Sequence, residues 1–351
     1  MSIVLPTTAW ININNVCNNK CIWCYAKDVN LAHKTMPYLQ IGMVLERLVL
    51  IGCKKCVLIG GEPTLHPQII DIFANAKEKG LEVKIVSNGR RFADIDFCQD
   101  MIGAGLKTKD ITLSMHSGSE DESFILTGSK EYFGEFKQGL ENLLSLNVVP
   151  YINITLSKSL FYQTNRMMSW LVDRGLSSVA FNLGAPAVSQ YGVDAGFTLS
   201  PDILAIKVFE LFQYGKQIGI KTGFLFNVPL CLLSVEELKL LLRNGAVVSG
   251  CQILSGKGIL FNVDGNLVMC NHLLDFEVFG KERINEIIDT GHFSQFWLSE
   301  TMQKIRDSVC VFRSEKCQIC DYWNICGGGC PIFWTNYDPR KFIPGYQKER
   351  R

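Results

Sequence analysis

The sequence predicts an α/β fold, a partial (β/α)6 barrel followed by a smaller cysteine-rich region. Short runs rich in β-branched residues alternate with longer segments of helical period as far as about Leu183, the pattern of repeated βα units on a parallel sheet. The helical segments end close to Gly, Asn or similar stops. Beyond them the composition changes, and a hairpin signal bracketed by cysteines appears.

Taken in order, the predicted strands are Ala9 to Asn14, Lys55 to Ile59, Glu82 to Val86, Asp110 to Met115, Val149 to Leu156 and Ser178 to Asn182. Helices are predicted at Pro67 to Lys79, Tyr132 to Leu146 and Gln163 to Arg174. Six βα units of this kind suit a TIM-like partial barrel, whose active site lies on the loops beyond the carboxyl ends of the strands. Gly184 to Gly196 is rich in Gly, Ala, Pro and Ser and reads as a connector. Pro201 to Gln217 is one more helix. Ile259 to Asn262 and Leu267 to Met269 flank Asp264-Gly265, a strong hairpin turn. The expected division is 1–196 for the barrel, 197–250 for connecting helices, 251–337 for the cysteine-rich domain and 338–351 for a basic tail.

Composition excludes several function classes. Lys and Arg number 35 against 34 Asp and Glu, so no basic field attracts nucleic acid. No apolar run approaches the roughly 20 residues of a membrane helix. The N-terminus has no charged start with an apolar stretch and cleavage site, which points to a cytoplasmic chain. In a reducing compartment its 14 cysteines read as metal ligands or catalytic thiols rather than disulfides.

Directly after the first strand comes Cys17-Asn-Asn-Lys-Cys21-Ile-Trp-Cys24. Three thiols fit a zinc site, an electron-transfer cluster with a distant fourth ligand, or a four-iron cluster that keeps one iron free for a substrate's amino and carboxylate groups. The next strand ends in Gly60-Gly61-Glu62-Pro63-Thr64, whose Gly60 and Gly61 carbonyls and Glu62 carboxylate are acceptors for an ammonium group.

Cys-x3-Cys-x-aromatic-Cys, with Trp23 at the aromatic position, resembles the signature of the radical S-adenosylmethionine (SAM) superfamily, and Gly60 to Pro63 resembles its GGEP motif. The resemblance implies a [4Fe-4S] cluster on Cys17, Cys21 and Cys24. It also implies SAM contacts from Trp23, Gly60, Gly61, Glu62, Asn88 of Ser87-Asn88-Gly89, Ser114 at the end of the fourth strand and Asn153 in the fifth. One position departs from the pattern: where many relatives carry an arginine for the SAM carboxylate, this sequence reads Phe124-Ile125-Leu126-Thr127-Gly128. Another cation, or hydroxyls and backbone N–H groups, must take that contact.

The C-terminal cysteines read Cys251, then Gly265 and Cys270, then Cys310, then Cys317-x2-Cys320-x5-Cys326-x3-Cys330. The spacing resembles the SPASM extension of radical SAM enzymes, a β-hairpin with helices and cysteine-rich loops that binds auxiliary [4Fe-4S] clusters. By position, Cys251, Cys270 and Cys330 serve the nearer cluster and Cys317, Cys320 and Cys326 the outer one. The family's further downstream cysteine is missing, which leaves Cys310, Asp321, Asp338 or an exchangeable ligand as substitutes, and one or two auxiliary clusters. Without the resemblance, a zinc knot made by the four cysteines from Cys317 to Cys330 is a lesser alternative. Cys53, Cys56, Cys98 and Cys231 fit no pattern and are expected in the core.

The implied activity is reductive cleavage of SAM to a 5′-deoxyadenosyl radical and oxidative modification of a ribosomally made precursor peptide by crosslinking, excision or a related change. The first strand starts within ten residues of Met1, so leader recognition is expected from a separate partner protein or a short, directly read motif. A flavodoxin or ferredoxin would supply electrons. The rivals are a radical SAM dehydrogenase acting on a small molecule and a non-catalytic zinc or redox protein. His116, Asp264, Asp321 and Tyr322 are candidates by placement for handling protons.

Overall fold

The computed structural model describes residues 4–30, 32–280, 286, 289–309 and 314–343. The fold class is the expected one, α/β with a parallel sheet. Its strands are β1 (Thr8–Asn12), β2 (Lys55–Ile59), β3 (Glu82–Ser87), β4 (Ile111–Ser114), β5 (Tyr151–Leu156), β6 (Ser178–Leu183), β7 (Ala187–Ser189), β8 (Gly192–Asp194), β9 (Lys221–Phe226), β10 (Val247–Ser249), β11 (Gly258–Phe261), β12 (Leu267–Val268) and β13 (Glu277–Phe279). No helix among the described residues is long and apolar enough to cross a membrane.

The chain divides into two compact units that interleave along the sequence. The first comprises Ser2–Ile152 and Gly256–Met302. Within it the strand order is β4-β3-β2-β1-β11-β12-β13, parallel from β4 to β11. Side chains explain the layers: Val83, Ile85 and Ser87 of β3 are buried in alternation, and helix Ile69–Glu78 buries Ile69, Ile72, Phe73 and Ala76 at helical spacing. Helix Tyr132–Ser145 buries Phe136, Leu140 and Leu143. Its Gly139 lies so close to the carbonyl of Gly89 that no Cβ would fit, which fixes the turn after β3.

The second unit comprises Asn153–Ser255 and Gln303–Arg351, with β5-β6-β9-β10 in parallel order. Two expectations are corrected here. Segment 197–250 contains β9 and β10 besides its helices, because Thr222, Phe224 and Phe226 alternate into the core. The connector at Gly184 to Gly196 holds the β7–β8 hairpin.

The Asp264-Gly265 hairpin forms as expected, Gly265 taking φ +82° and Asn262 Oδ1 accepting from the Asp264 and Asn266 N–H groups. Its first strand, β11, pairs in parallel with β1, Thr8 opposite Gly258 through Ile11 opposite Phe261. The hairpin therefore extends the sheet of the N-terminal motifs.

Candidate functional site

Strands β1 to β4 are neighbours and parallel, so the segments that follow them emerge side by side at one sheet end: the Cys17–Cys24 loop, Gly60-Gly61-Glu62, Asn88-Gly89 and His116. The cysteine loop is gripped from several directions. Gly61 N–H donates to the Asn14 carbonyl at 2.8 Å and Glu62 N–H to the Val16 carbonyl at 2.7 Å. A Cβ on Gly61 would stand 2.5 Å from the Val16 carbonyl oxygen, so this contact requires glycine. The backbone N–H groups of Lys20 and Ile22 donate to the carbonyls of Thr127 and Leu126. Thus the segment that lacks the family arginine serves as a bracket for the loop, and Ile125 itself is exposed. Arg90 reaches the loop instead, donating to the Asn18 carbonyl and, at 2.9 Å, to Asn19 Oδ1, while it pairs with Glu135.

Glu62 is 1% exposed. Its Oε1 accepts from the Thr64 N–H (3.0 Å), the Thr64 hydroxyl (2.6 Å) and the Ser87 hydroxyl (2.8 Å); its Oε2 accepts from the Asn88 N–H (2.7 Å). All four donors are neutral. Burial pushes the carboxyl above its ordinary range, and the four hydrogen bonds oppose that rise. A desolvated carboxylate held by neutral donors is a receptor for a cation. Burial, followed by the nearness of Glu62, pushes the Cys17 thiol up to about 12, and burial also raises Cys21 and Cys24. Iron binding, which takes thiolates, must displace those protons.

Trp23 is 6% exposed and faces His116 with ring centroids 5.7 Å apart; His116 in turn faces Tyr132 at 5.6 Å. Burial lowers the His116 pKa to about 4, so its ring is neutral near pH 7. Tyr132 donates from its hydroxyl to the Ser114 carbonyl at 2.8 Å and accepts from the His116 N–H at 2.7 Å. Asn88 is committed within the protein, its Nδ2 donating to Asn18 Oδ1 and its Oδ1 accepting from the Arg90 N–H. Asn153 lies on β5, in the second unit. Five enclosed polar atoms of this region lack a hydrogen-bond partner: Asn12 Oδ1, Asn14 Oδ1, Asn19 Nδ2, Trp23 Nε1 and His116 Nδ1. Such a concentration of unsatisfied groups fits a polar ligand that completes the site.

The C-terminal cysteines fall in both units. Cys270 belongs to the first, whereas Cys251, Cys317, Cys320, Cys326 and Cys330 belong to the second. Cys310 lies outside the described residues. Cys53, Cys56 and Cys98 are buried, but Cys231 is exposed, which corrects its expected place in the core. It stands on a single helical turn, Leu230–Leu232, where the chain bends at Pro229. With Cys317, Cys320 and Cys326 it lines a cavity of about 230 Å³. Among the described residues no three His, Cys, Asp or Glu side chains are gathered for a single metal ion. Of the other candidates, Asp338 is held by Arg340 at 2.7 and 2.8 Å, and Asp264 pairs with Lys34 at 2.8 Å. Asp321 is exposed.

In comparison with known proteins, residues 11–167, a little under half of the chain, match the Radical SAM superfamily. Enzymes of this family use a [4Fe-4S] cluster and SAM. A GTP 3′,8-cyclase of Synechococcus elongatus is 31% identical over 176 residues, 48% of this chain and 52% of that one. The Fe-coproporphyrin III synthase of Methanosarcina barkeri is 26% identical over 154 residues, 44% of this chain and 37% of that one. The chain thus spans about half, or less, of the length of these relatives. Streptococcus suis SuiB, solved with its precursor peptide SuiA, superposes with a TM-score of 0.70 at 16% identity, covering 98% of this chain and 75% of SuiB. The enzyme anSMEcpe with bound AdoMet gives 0.68 at 16% identity, covering 93% and 90%. These solved structures share the fold of this chain.

Proposed function

We propose that this chain is a radical SAM enzyme that cleaves SAM reductively and modifies a peptide substrate oxidatively. The observation that carries the reading is Glu62: a buried carboxylate with only neutral donors, hydrogen-bonded through its backbone to the loop that bears three thiols. Cys17, Cys21 and Cys24 would hold the [4Fe-4S] cluster. When bound, that cluster supplies the electron that splits the sulfonium into methionine and a 5′-deoxyadenosyl radical. Glu62 and the Gly60 and Gly61 carbonyls receive the methionyl ammonium, Trp23 walls the site, and Ser114 takes the ribose. Asn88 acts through Glu62 and Asn18, since its side chain and N–H are already engaged. Burial keeps the His116 ring beside Trp23 neutral, which makes it a weak base there.

A peptide substrate is supported by the likeness in fold to SuiB, solved with its precursor peptide, and to anSMEcpe, solved with AdoMet and a peptide. The C-terminal thiols would hold one or two auxiliary clusters that accept the electron a substrate radical must lose. A leader-reading partner protein and a flavodoxin- or ferredoxin-type electron donor complete the proposed system. A second reading, a small-molecule substrate, is favoured by the resemblance to GTP 3′,8-cyclases. Anaerobically reconstituted, reduced protein is expected to form 5′-deoxyadenosine from SAM. With deuterated candidates, label entering 5′-deoxyadenosine from a peptide supports the leading reading, and label from a small molecule alone replaces it. Protein with a full iron content that leaves SAM intact would sink both.

A further inference from the structure

We infer that Cys231 supplies the fourth thiolate to an iron–sulfur cluster whose other protein ligands are Cys317, Cys320 and Cys326. This rests on the reading that the C-terminal thiols hold iron, and it names the fourth protein ligand of that group.

The four cysteines line one cavity of about 230 Å³ within the second unit. That is far more than the roughly 15 Å³ a single water requires, and it is room for a polynuclear group. Its remaining lining is mostly apolar, including Leu233, Val235, Leu238 and Trp323. An exposed thiol among such side chains fills no gap in a core.

The turn that carries Cys231 is docked directly on the later motif. Leu230 N–H donates to Cys326 Sγ at 3.4 Å, although the two residues are 96 apart in sequence. Cys330 N–H donates to the Asn227 carbonyl at 2.7 Å, and a Cβ on Gly329 would stand 2.9 Å from Pro229 Cδ. Gly327, Gly328 and Gly329 all take positive φ, 57°, 74° and 79°, and the Gly329 N–H closes the turn on the Cys326 carbonyl at 3.0 Å. A backbone N–H such as that of Leu230 on the Cys326 sulfur suits a thiolate that carries cluster charge.

The rival ligands are placed less well. Cys330 and Asp321 do not line the cavity, and the Asp338 carboxylate is occupied by Arg340. Each of the four thiols would give up its proton on binding iron.

The test uses full-length chain in which Cys17, Cys21 and Cys24 are alanine, so that only C-terminal iron is read. Cys231→Ala in that background is expected to lose about four irons per chain, or to keep a cluster with a shifted electron paramagnetic resonance spectrum. Cys310→Ala should change neither. In the parent, Cys231 should resist iodoacetamide even in alkaline medium until the cluster is destroyed by oxidation and chelation, and should then alkylate there, since burial pushes the free thiol up to about 12. Iron retained with an unchanged spectrum in Cys231→Ala, or Cys231 alkylated while the cluster is intact, would overturn the assignment and leave the wider reading standing. A parent without iron, or with zinc alone, would overturn both.

Discussion

The backbone N–H of Asn88 lies 2.7 Å from Glu62 Oε2, and the Asn88 side chain holds Asn18 of the cysteine loop at the same distance. One residue at the end of β3 therefore fixes both the acidic group and the thiol-bearing loop. Through this pair, the carboxylate and the loop are set in a common frame before any ligand arrives. Preorganisation of this kind removes a cost that binding would otherwise incur.

Replacing Glu62 by Gln keeps the size of the side chain and removes the charge. A charge-assisted hydrogen bond contributes about 1.5–3 kcal/mol, so SAM affinity should fall by roughly tenfold to a hundredfold. Calorimetric titration of the reconstituted, unreduced protein measures it. Equal affinity in the two proteins at equal iron content would remove Glu62 from the site.

Gly61→Ala should act on the cluster before it acts on the cosubstrate. The added Cβ meets backbone, the Val16 carbonyl, rather than a side chain that could swing aside. The loop must then move, and the three thiols lose their common frame. Iron and sulfide content at the N-terminal site should drop while the far-ultraviolet circular dichroism stays native. Full loading would show that the loop tolerates the shift.

How far the sequence foretold this arrangement depends on distance along the chain. Cys17 to Cys24, Glu62 and Asn88 were legible because each follows its strand directly, and parallel neighbours bring such positions to one end. Strand β9 was missed because Gly223 interrupts a run begun by Lys221 and Thr222; β10 is only three residues long, too short for alternation to register. Cys231 was assigned to the core because its neighbours in space, Cys317, Cys320 and Cys326, come from a distant segment. No spacing rule joins them; the signal that could have found it was a cysteine beside Pro229 in a turn. The Ile125 departure also became intelligible only in three dimensions, where Leu126 and Thr127 offer carbonyls to the cysteine loop.

Asp110 makes a prediction about stability alone. It is 7% exposed and lies between Lys77 at 2.8 Å and Lys84 at 3.2 Å. Asp110→Ala takes its carboxylate from the partly buried Lys77 and leaves Lys84 with Glu82 and the Lys109 carbonyl, and a loss of about 2 kcal/mol is expected after allowing for solvent at both lysines. Denaturant unfolding of the purified protein checks it. A change within error of zero would mean that water and the remaining partners satisfy both lysines equally well.

His116 should make the fold sensitive to acid. Burial depresses its folded pKa to about 4, below the ordinary value of 6.5, so the unfolded chain binds a proton more readily across that interval. Stability must then fall as pH drops from about 6.5 towards 4, and the His116 contribution is complete only above that window. His116→Phe keeps a ring between Trp23 and Tyr132 but cannot take up the proton. The variant's stability should decline less steeply across this interval than that of the parent, when both are unfolded by denaturant at a series of pH values. Parallel curves would show that the His116 ring titrates near its ordinary value in the folded protein.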